Sequence, residues 1–522
     1  MAIQYMYTQV IKKIKNLPTS LYIFLFAFLY RLASLGIDFI NNDAFLWKSR
    51  SYEFGKALMS LDFAGTAVTY HPGVPLLWSQ FIAIKIYSLL DLLVYKGMLS
   101  PNAEFIANHI IQKTVLVFFT SLLVALAFSL LKKIIGQGSS ILVIMFVLLE
   151  PLYLGLSRAI HTDAIISLFM FISCLYFYIA FSKDGSINKT GKEAILSGVF
   201  MGLAALTKSS ALFLIPFYAL GYLILRKFDF SEIKKLLIVY LFFILSFFAF
   251  WPAMWVNPVG SISLYLFKGV EGVALEEGHG HIWFGIETLD PGPLFYPLVF
   301  ATRYSMFIVL LFIFGIYFSI RNYKNKEKVD INLIYWFAFI FFYFLMLTFV
   351  SKKLDRYLLP IIFPVSIFAA YWVRNYFSKK ILALLFAIFI FGRFVILFGL
   401  HPNYLAYYSQ LVGGMETGRT LIEPKWLIAY DKVAKFFNDK DESENIKVAI
   451  ADFDYLRPFA KFEVLNIRVE EERNKADYFV LPVFREGRNS FYIDSYNLEK
   501  LNDVITVSGI EYYQIYRNRG KK

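Results

Sequence analysis

Cysteine is almost missing from this chain: Cys174 stands alone inside an apolar run, so neither a disulfide framework nor a thiolate metal site is open to a single copy. Charge is scarce too. Only 17% of residues are charged against 58% hydrophobic, and the mean hydropathy of +0.56 excludes an ordinary soluble domain. Strand-like alternation is absent between residues 20 and 400, which argues against an outer-membrane barrel. There are no heptads, no low-complexity tract and no short-period repeat.

What the chain does have is a series of apolar runs. A bilayer core about 30 Å thick takes about 20 apolar residues per helix, and its lack of water leaves helices as the economical way across. The net charge of +13 could suggest nucleic acid, but the basic residues gather in short loops between apolar runs, as the positive-inside bias predicts. Lys12, Lys13 and Lys15 precede the first run, which is long and lacks a small-residue cleavage site, so it reads as an uncleaved anchor.

With those lysines inside, eleven spans are expected, at 20–40, 109–131, 139–157, 164–181, 194–207, 210–225, 236–256, 299–320, 332–350, 357–373 and 380–400. Residues 41–108 form one external loop whose apolar stretch, Val74 to Val94, is broken by Gln80, Lys85 and Asp91 and reads as an interfacial amphipathic helix. Composition changes after Leu400, where short apolar runs alternate with polar turns. The expectation is therefore an α-helical polytopic membrane domain, residues 1–400, followed by a small soluble α/β domain, residues 401–522. In the latter, Trp426 to Phe437 has helical spacing, while 447–451, 478–481 and 512–516 read as strands. Both the C-terminal domain and the loops 41–108, 158–163, 257–298 and 351–356 fall on the outer side.

Those external loops carry the chemistry. Asp43 follows the first run with Lys48, Arg50 and His71 beyond it; Arg158, His161 and Asp163 lie at the junction of two later runs; and 257–298 holds acids with His279 and His281. A carboxylate at a membrane edge can act as a general base on an acceptor hydroxyl or simply cap a helix, and both readings stand for Asp43 and Asp163. His279-Gly-His281 offers a divalent cation one or two ligands, although no spacing here is diagnostic. Arg303, Lys352, Lys353 and Arg356 sit at external span ends, against the positive-inside bias. They suit either a phosphate at headgroup depth or ordinary anionic lipid. Arg393, in mid-run, faces a polar cavity or pairs internally.

At these residues the chain resembles the GT-C superfamily of membrane glycosyltransferases, in the branch of protein O-mannosyltransferases and aminoarabinose transferases that use lipid-phosphate sugars. The likeness rests on Asn42-Asp43, Arg158-Ala-Ile-His-Thr-Asp163, Gly202-Leu-Ala-Ala-Leu-Thr-Lys208, Gly280-His-Ile-Trp-Phe-Gly285 and Lys353-Leu-Asp-Arg-Tyr-Leu-Leu-Pro360, taken in order. It implies Asp43 as catalytic base, Asp163 as a second acid of the same cavity, and Arg303, Lys353 and Arg356, with Arg158, as the donor phosphate-binding set. Ala44 stands where many members have a second acid, and Tyr70-His71-Pro72 stands where aminoarabinose transferases carry Glu-Lys-Pro. His71 with His281 and His279 is then the candidate divalent-metal site.

The activity so implied is an inverting glycosyltransferase in a plasma membrane, active face outward. It would move a sugar from a polyprenyl-phosphate donor to a hydroxyl of a protein, lipid or glycan. A lipid-linked sugar flippase or other transporter is the first alternative, but no internal symmetry is evident. A non-catalytic glycan-binding scaffold, the second, leaves the clustered acids and bases unexplained.

Overall fold

The computed structural model describes residues 17–521 except 39, 188, 228, 272–280, 327–329, 425 and 442. His279 therefore lies outside the described residues. Among them, nine helices are long and apolar enough to cross a membrane, and Thr19–Leu29 and Glu193–Thr207 are shorter apolar helices.

The first expected span is shorter than its apolar run: α1 (Thr19–Leu29) gives way to turns through Asp38. Positive backbone φ at Ser34 and Gly36 ends the helical path before Asp43. Residues 41–108, expected as one loop, are mostly helical, with α2 (Ala44–Met59), α3 (Val74–Leu90, continued as a π-turn to Tyr95) and the start of α4 (Pro101–Leu148). The stretch expected to lie on the surface is thus a helix of spanning length. Gln80, which seemed to interrupt it, is buried against α4 and donates to Gln112 O at 3.3 Å. The runs 109–131 and 139–157 join into α4, bent at Gly136 (φ 74°, ψ 164°), a conformation only glycine adopts cheaply. Pro151 then starts a separate short helix.

Central to the bundle is α5 (Asp163–Phe181), apolar on all sides and buried within the protein almost throughout, one of the two places, with lipid, that suit a helix without a polar face. Beside it, α6 (Glu193–Thr207) meets α8 (Ile233–Phe250) through Gly198 and Gly202, where a Cβ would overlap Val239 O and Phe243 O. This small-residue spacing permits close helix contact and fixes the end of α6, hence Lys208. Between them in sequence runs α7 (Leu214–Arg226). The span expected over 299–320 is interrupted at Tyr304-Ser305, giving α9 (Phe295–Arg303) and α10 (Met306–Lys324), with Ser305 Oγ accepting from Ile308 N as a cap. The bundle is completed by α11 (Ile331–Phe349), α12 (Ile362–Tyr376) and α13 (Lys379–Leu400).

In the C-terminal region α14 (Tyr430–Asn438) precedes a five-stranded sheet. A separate hairpin in the loop before α9 supplies β1 (His281–Trp283) and β2 (Ile286–Thr288). The large sheet comprises β3 (Lys447–Ile450), β4 (Glu463–Asn466), β5 (Tyr478–Pro482), β6 (Tyr496–Val507) and β7 (Ile510–Lys521), ordered β4-β3-β5-β7-β6. The three expected strands appear as β3, β5 and β7. One side of the sheet, β4-β3-β5, is parallel, and the central β5 pairs antiparallel with the β6–β7 hairpin that forms the other side.

Candidate active site

Two buried ties draw the loop after α1 onto the loop before α5. Asn41 grips the backbone of Ile160 reciprocally, Nδ2 donating to Ile160 O at 3.2 Å and Oδ1 accepting from Ile160 N at 3.1 Å. Deeper, Asp38 pairs with Lys113 at 2.6 Å and Arg158 at 2.9 Å. These contacts place Asp43, two residues past Asn41, beside His161, one past Ile160.

Asp43 precedes α2 but its side chain makes no capping bond. Oδ2 instead lies 3.0 Å from His161 Nε2 and 3.2 Å from Arg356 Nη2. Nor is Asp163 a simple cap. Its Oδ2 is 2.9 Å from His161 Nδ1 and 3.3 Å from Arg356 Nε, and its Oδ1 is 2.8 Å from Lys208 Nζ. His161 and Arg356 thus each bridge both acids. The acids differ in access: the Asp43 side chain is 30% exposed and that of Asp163 3%. Asp43 Oδ1 makes no hydrogen bond among the described residues, so one oxygen of this part-exposed carboxylate is unengaged.

Electrostatics set the states of these groups. Burial alone would raise the Asp43 carboxyl, but the His161 hydrogen bond and the attraction of His161 and Arg356 outweigh it and hold the acid well below the usual range. Burial draws Lys208 below its ordinary value against the pull of Asp163. His71 is pushed down to about 3, first by burial and then by the positive charges of Lys208, Lys352 and Arg50. Four cations, Arg50, Lys208, Lys352 and Arg356, therefore gather around one small region.

Aromatic rings frame it. Lys208 lies 3.9 Å from the Tyr357 ring centre, and Arg356 lies 5.3 Å from that of Trp426. Trp47 and Trp426 each meet His161 edge-on at 6.3 Å. Trp426 belongs to the C-terminal region, as does Tyr455, whose ring meets Phe45 at 4.8 Å, tilted by 59°, and whose hydroxyl donates to Asn42 O. The C-terminal region thus covers one side of the site.

Of the expected phosphate-binding set, only Arg356 reaches this cluster. Arg303 is 1% exposed, and all three of its guanidinium nitrogens are engaged, with Asp355 at 3.1 Å and with the carbonyls of Tyr407 and Leu405. Lys353 pairs with Asp290 at 2.8 Å. Arg158 is committed to Asp38 and to Arg31 O at 2.9 Å. Each sits at the expected helix end but turns into the protein, where unpaired charge would be costly. Arg393 pairs internally with Glu150 at 3.6 Å. Of the histidines weighed for metal, only His71 joins the region; His281 lies in β1, paired across the hairpin with Thr288. Among the described residues no three His, Cys, Asp or Glu side chains group as metal ligands do.

Lys208 and the bridging part of His161 were not singled out from sequence, though the signal existed. Lys208 is a cation on the expected outer side, against the inside bias, and His161 is two residues from Asp163.

On the helices that start or end at these groups, α3, α5 and α6, lies an apolar groove of about 750 Å³. Its near wall is Val74 and Pro75, directly after His71-Pro72-Gly73, and it runs past Phe119, Phe169 and Leu203. Almost no polar atom lines it.

Residues 111–255 match the family described as dolichyl-phosphate-mannose-protein mannosyltransferase. Among solved structures, ArnT from Cupriavidus metallidurans, bound to undecaprenyl phosphate, is 11% identical with a TM-score of 0.50, covering 95% of this chain and 97% of that one. The Archaeoglobus fulgidus oligosaccharyltransferase in its apo form is 13% identical with a TM-score of 0.45, covering 91% and 70%. No curated protein sequence matches. The family match and the fold of ArnT agree with the resemblance to GT-C membrane glycosyltransferases.

Proposed function

We propose that this chain, with the GT-C fold, is an inverting glycosyltransferase that moves a hexosyl or pentosyl group from a polyprenyl-phosphate donor to a hydroxyl of a protein, lipid or glycan. The observation that carries this reading is the Asp43–His161–Asp163–Arg356–Lys208 cluster, set at the ends of helices α5 and α6, whose Phe169 and Leu203 line an apolar groove. A polyprenyl phosphate is long and apolar with one anionic end, and groove and cations suit its two parts. ArnT of the same fold holds undecaprenyl phosphate.

In the proposed step the acceptor oxygen attacks the anomeric carbon while the bond from that carbon to the phosphate oxygen breaks. The hydroxyl proton passes to Asp43, through the open Oδ1, and the electron pair leaves with the polyprenyl phosphate. Arg356 and Lys208, with Arg50 and Lys352 nearby, stabilise the charge growing on the leaving phosphate. A phosphate that draws Arg356 toward itself also loosens its hold on Asp43, so donor binding strengthens the base. One displacement inverts the anomeric configuration, and no second carboxylate need act as nucleophile.

The surroundings of His71 do not fit a divalent metal: three cations face it, and among the described residues no acid completes a ligand set there. In this proposal the protein's own cations supply the counter-charge, and the active face is outward in a plasma membrane.

The test is transfer by the purified protein from radiolabelled polyprenyl-phosphate sugars to a membrane-extract acceptor, with and without chelator. Label in the acceptor fraction that survives chelation supports the reading. Donor binding, or movement of donor across vesicles, with no transfer supports a transporter instead.

A further inference from the structure

The helices that hold the site also carry a second polar cavity at their other ends. Helix α5 begins at Asp163 in the candidate site and spans 19 residues, about 28 Å at about 1.5 Å per residue. Arg356 lies in the site just before α12, whose last turn holds Arg374. Near Phe181 and Arg374 lies a cavity of about 260 Å³, roughly one bilayer core away from the acids. Nothing in the transferase mechanism uses it.

Its chemistry is uneven. Asp184 and Asp330 stand against a single guanidinium, Arg374, so the lining carries an excess negative charge. Among the lining residues, Asn332 is 3% exposed and its side-chain oxygen has no hydrogen-bond partner among the described residues. Such a buried acceptor costs free energy unless something donates to it. The rings of Tyr178 and Tyr371 complete the walls, and aromatic faces favour cations. Arg374 uses Nη1 on Ser139 Oγ at 2.7 Å and Ile135 O at 3.1 Å; among the described residues Nε and Nη2 have no partner, which leaves them for a ligand.

We infer that this cavity is a binding site for a phosphoethanolamine group. The primary ammonium donates to the Asn332 oxygen and to the carboxylates of Asp184 and Asp330 between the two tyrosine rings, and the phosphate meets Arg374 at the mouth. A quaternary ammonium has no N–H to donate to Asn332, and an anionic headgroup lacks the cation, so neither satisfies that oxygen. The group can come from a zwitterionic membrane lipid or from a soluble phosphoethanolamine. This inference stands apart from the transferase reading.

The experiment is native mass spectrometry of the delipidated full-length protein with short-chain phosphatidylethanolamine, phosphatidylcholine or phosphatidylglycerol, followed by competition with soluble phosphoethanolamine. The expected result is binding of the ethanolamine lipid about tenfold tighter than of the other two, the scale of one to two charge-assisted hydrogen bonds. That preference should disappear in Asp184→Asn/Asp330→Asn, in which asparagine keeps the cap that Asp330 gives α11. Asn332→Leu, which removes the acceptor oxygen, should abolish it as well; if that variant does not fold, the double variant decides. Displacement by soluble phosphoethanolamine identifies a small-molecule site, and retention of lipid in its presence a lipid site. Equal affinity for the three lipids, a preference unchanged in the double variant, or no binding of either form overturns the inference.

Discussion

His161 Nε2 stands 3.0 Å from Asp43 Oδ2, while its Nδ1 is 2.9 Å from Asp163 Oδ2. One ring thereby fixes the spacing of the two acids and the direction of the open Asp43 oxygen. Replacing it with alanine leaves both carboxylates but frees the exposed one to swing. His161→Ala is expected to lower kcat about 100-fold, the effect of a misplacement of about 1 Å, with little change in donor affinity. Steady-state kinetics separate the two.

Arg356 holds both acids through different nitrogens, Nη2 and Nε. A lysine offers one point charge and cannot span them. Arg356→Lys is therefore expected to weaken donor binding about tenfold or more and to lower turnover as well. Donor titration with a labelled polyprenyl phosphate checks the first effect.

Much of this was legible in the sequence, because hydropathy reports bilayer crossing directly. The α5 span, both acids and the strands β3, β5 and β7 fall where pattern alone put them. Failures occur where tertiary contact overrides pattern. Gln80 looks like a break in an apolar stretch, yet it is buried on the α4 backbone. Arg303 looks like a free cation at a span end, yet Asp355, Tyr407 and Leu405 take all its nitrogens. Partners from 32 to 104 residues away cannot be read from local spacing.

The ion triplet of Asp38 with Lys113 and Arg158 is fully buried. Removing the anion leaves two buried cations facing each other, so Asp38→Asn is expected to destabilise the fold by about 3–5 kcal/mol. Thermal unfolding in detergent should show the loss, and Asp38→Glu should restore part of it.

His71 supplies a pH signature. An unfolded histidine takes a proton below about pH 6.5, whereas folded His71 stays neutral down to about 3. The unfolded chain therefore binds more protons within that window, and stability falls as pH drops through it. His71→Asn should lose less stability than wild type between pH 7 and pH 5, measured by thermal unfolding at each pH.

The groove has its own test. Leu203 lines it four residues before Thr207 ends α6, and Leu203→Trp narrows it without touching an ionic contact. KM should rise for long-chain polyprenyl-phosphate donors and stay near wild type for short-chain analogues, with kcat preserved.

In the proposed step Asp43 takes the acceptor proton while the cations hold the donor. Sugar transfer and donor binding measured side by side for wild type and Asp43→Asn test it most directly. The account predicts that the variant folds, binds polyprenyl-phosphate sugar within a few-fold of wild type and loses transfer by about 1,000-fold, within the range of general-base catalysis. Turnover close to wild type in a folded, donor-binding Asp43→Asn protein would contradict it.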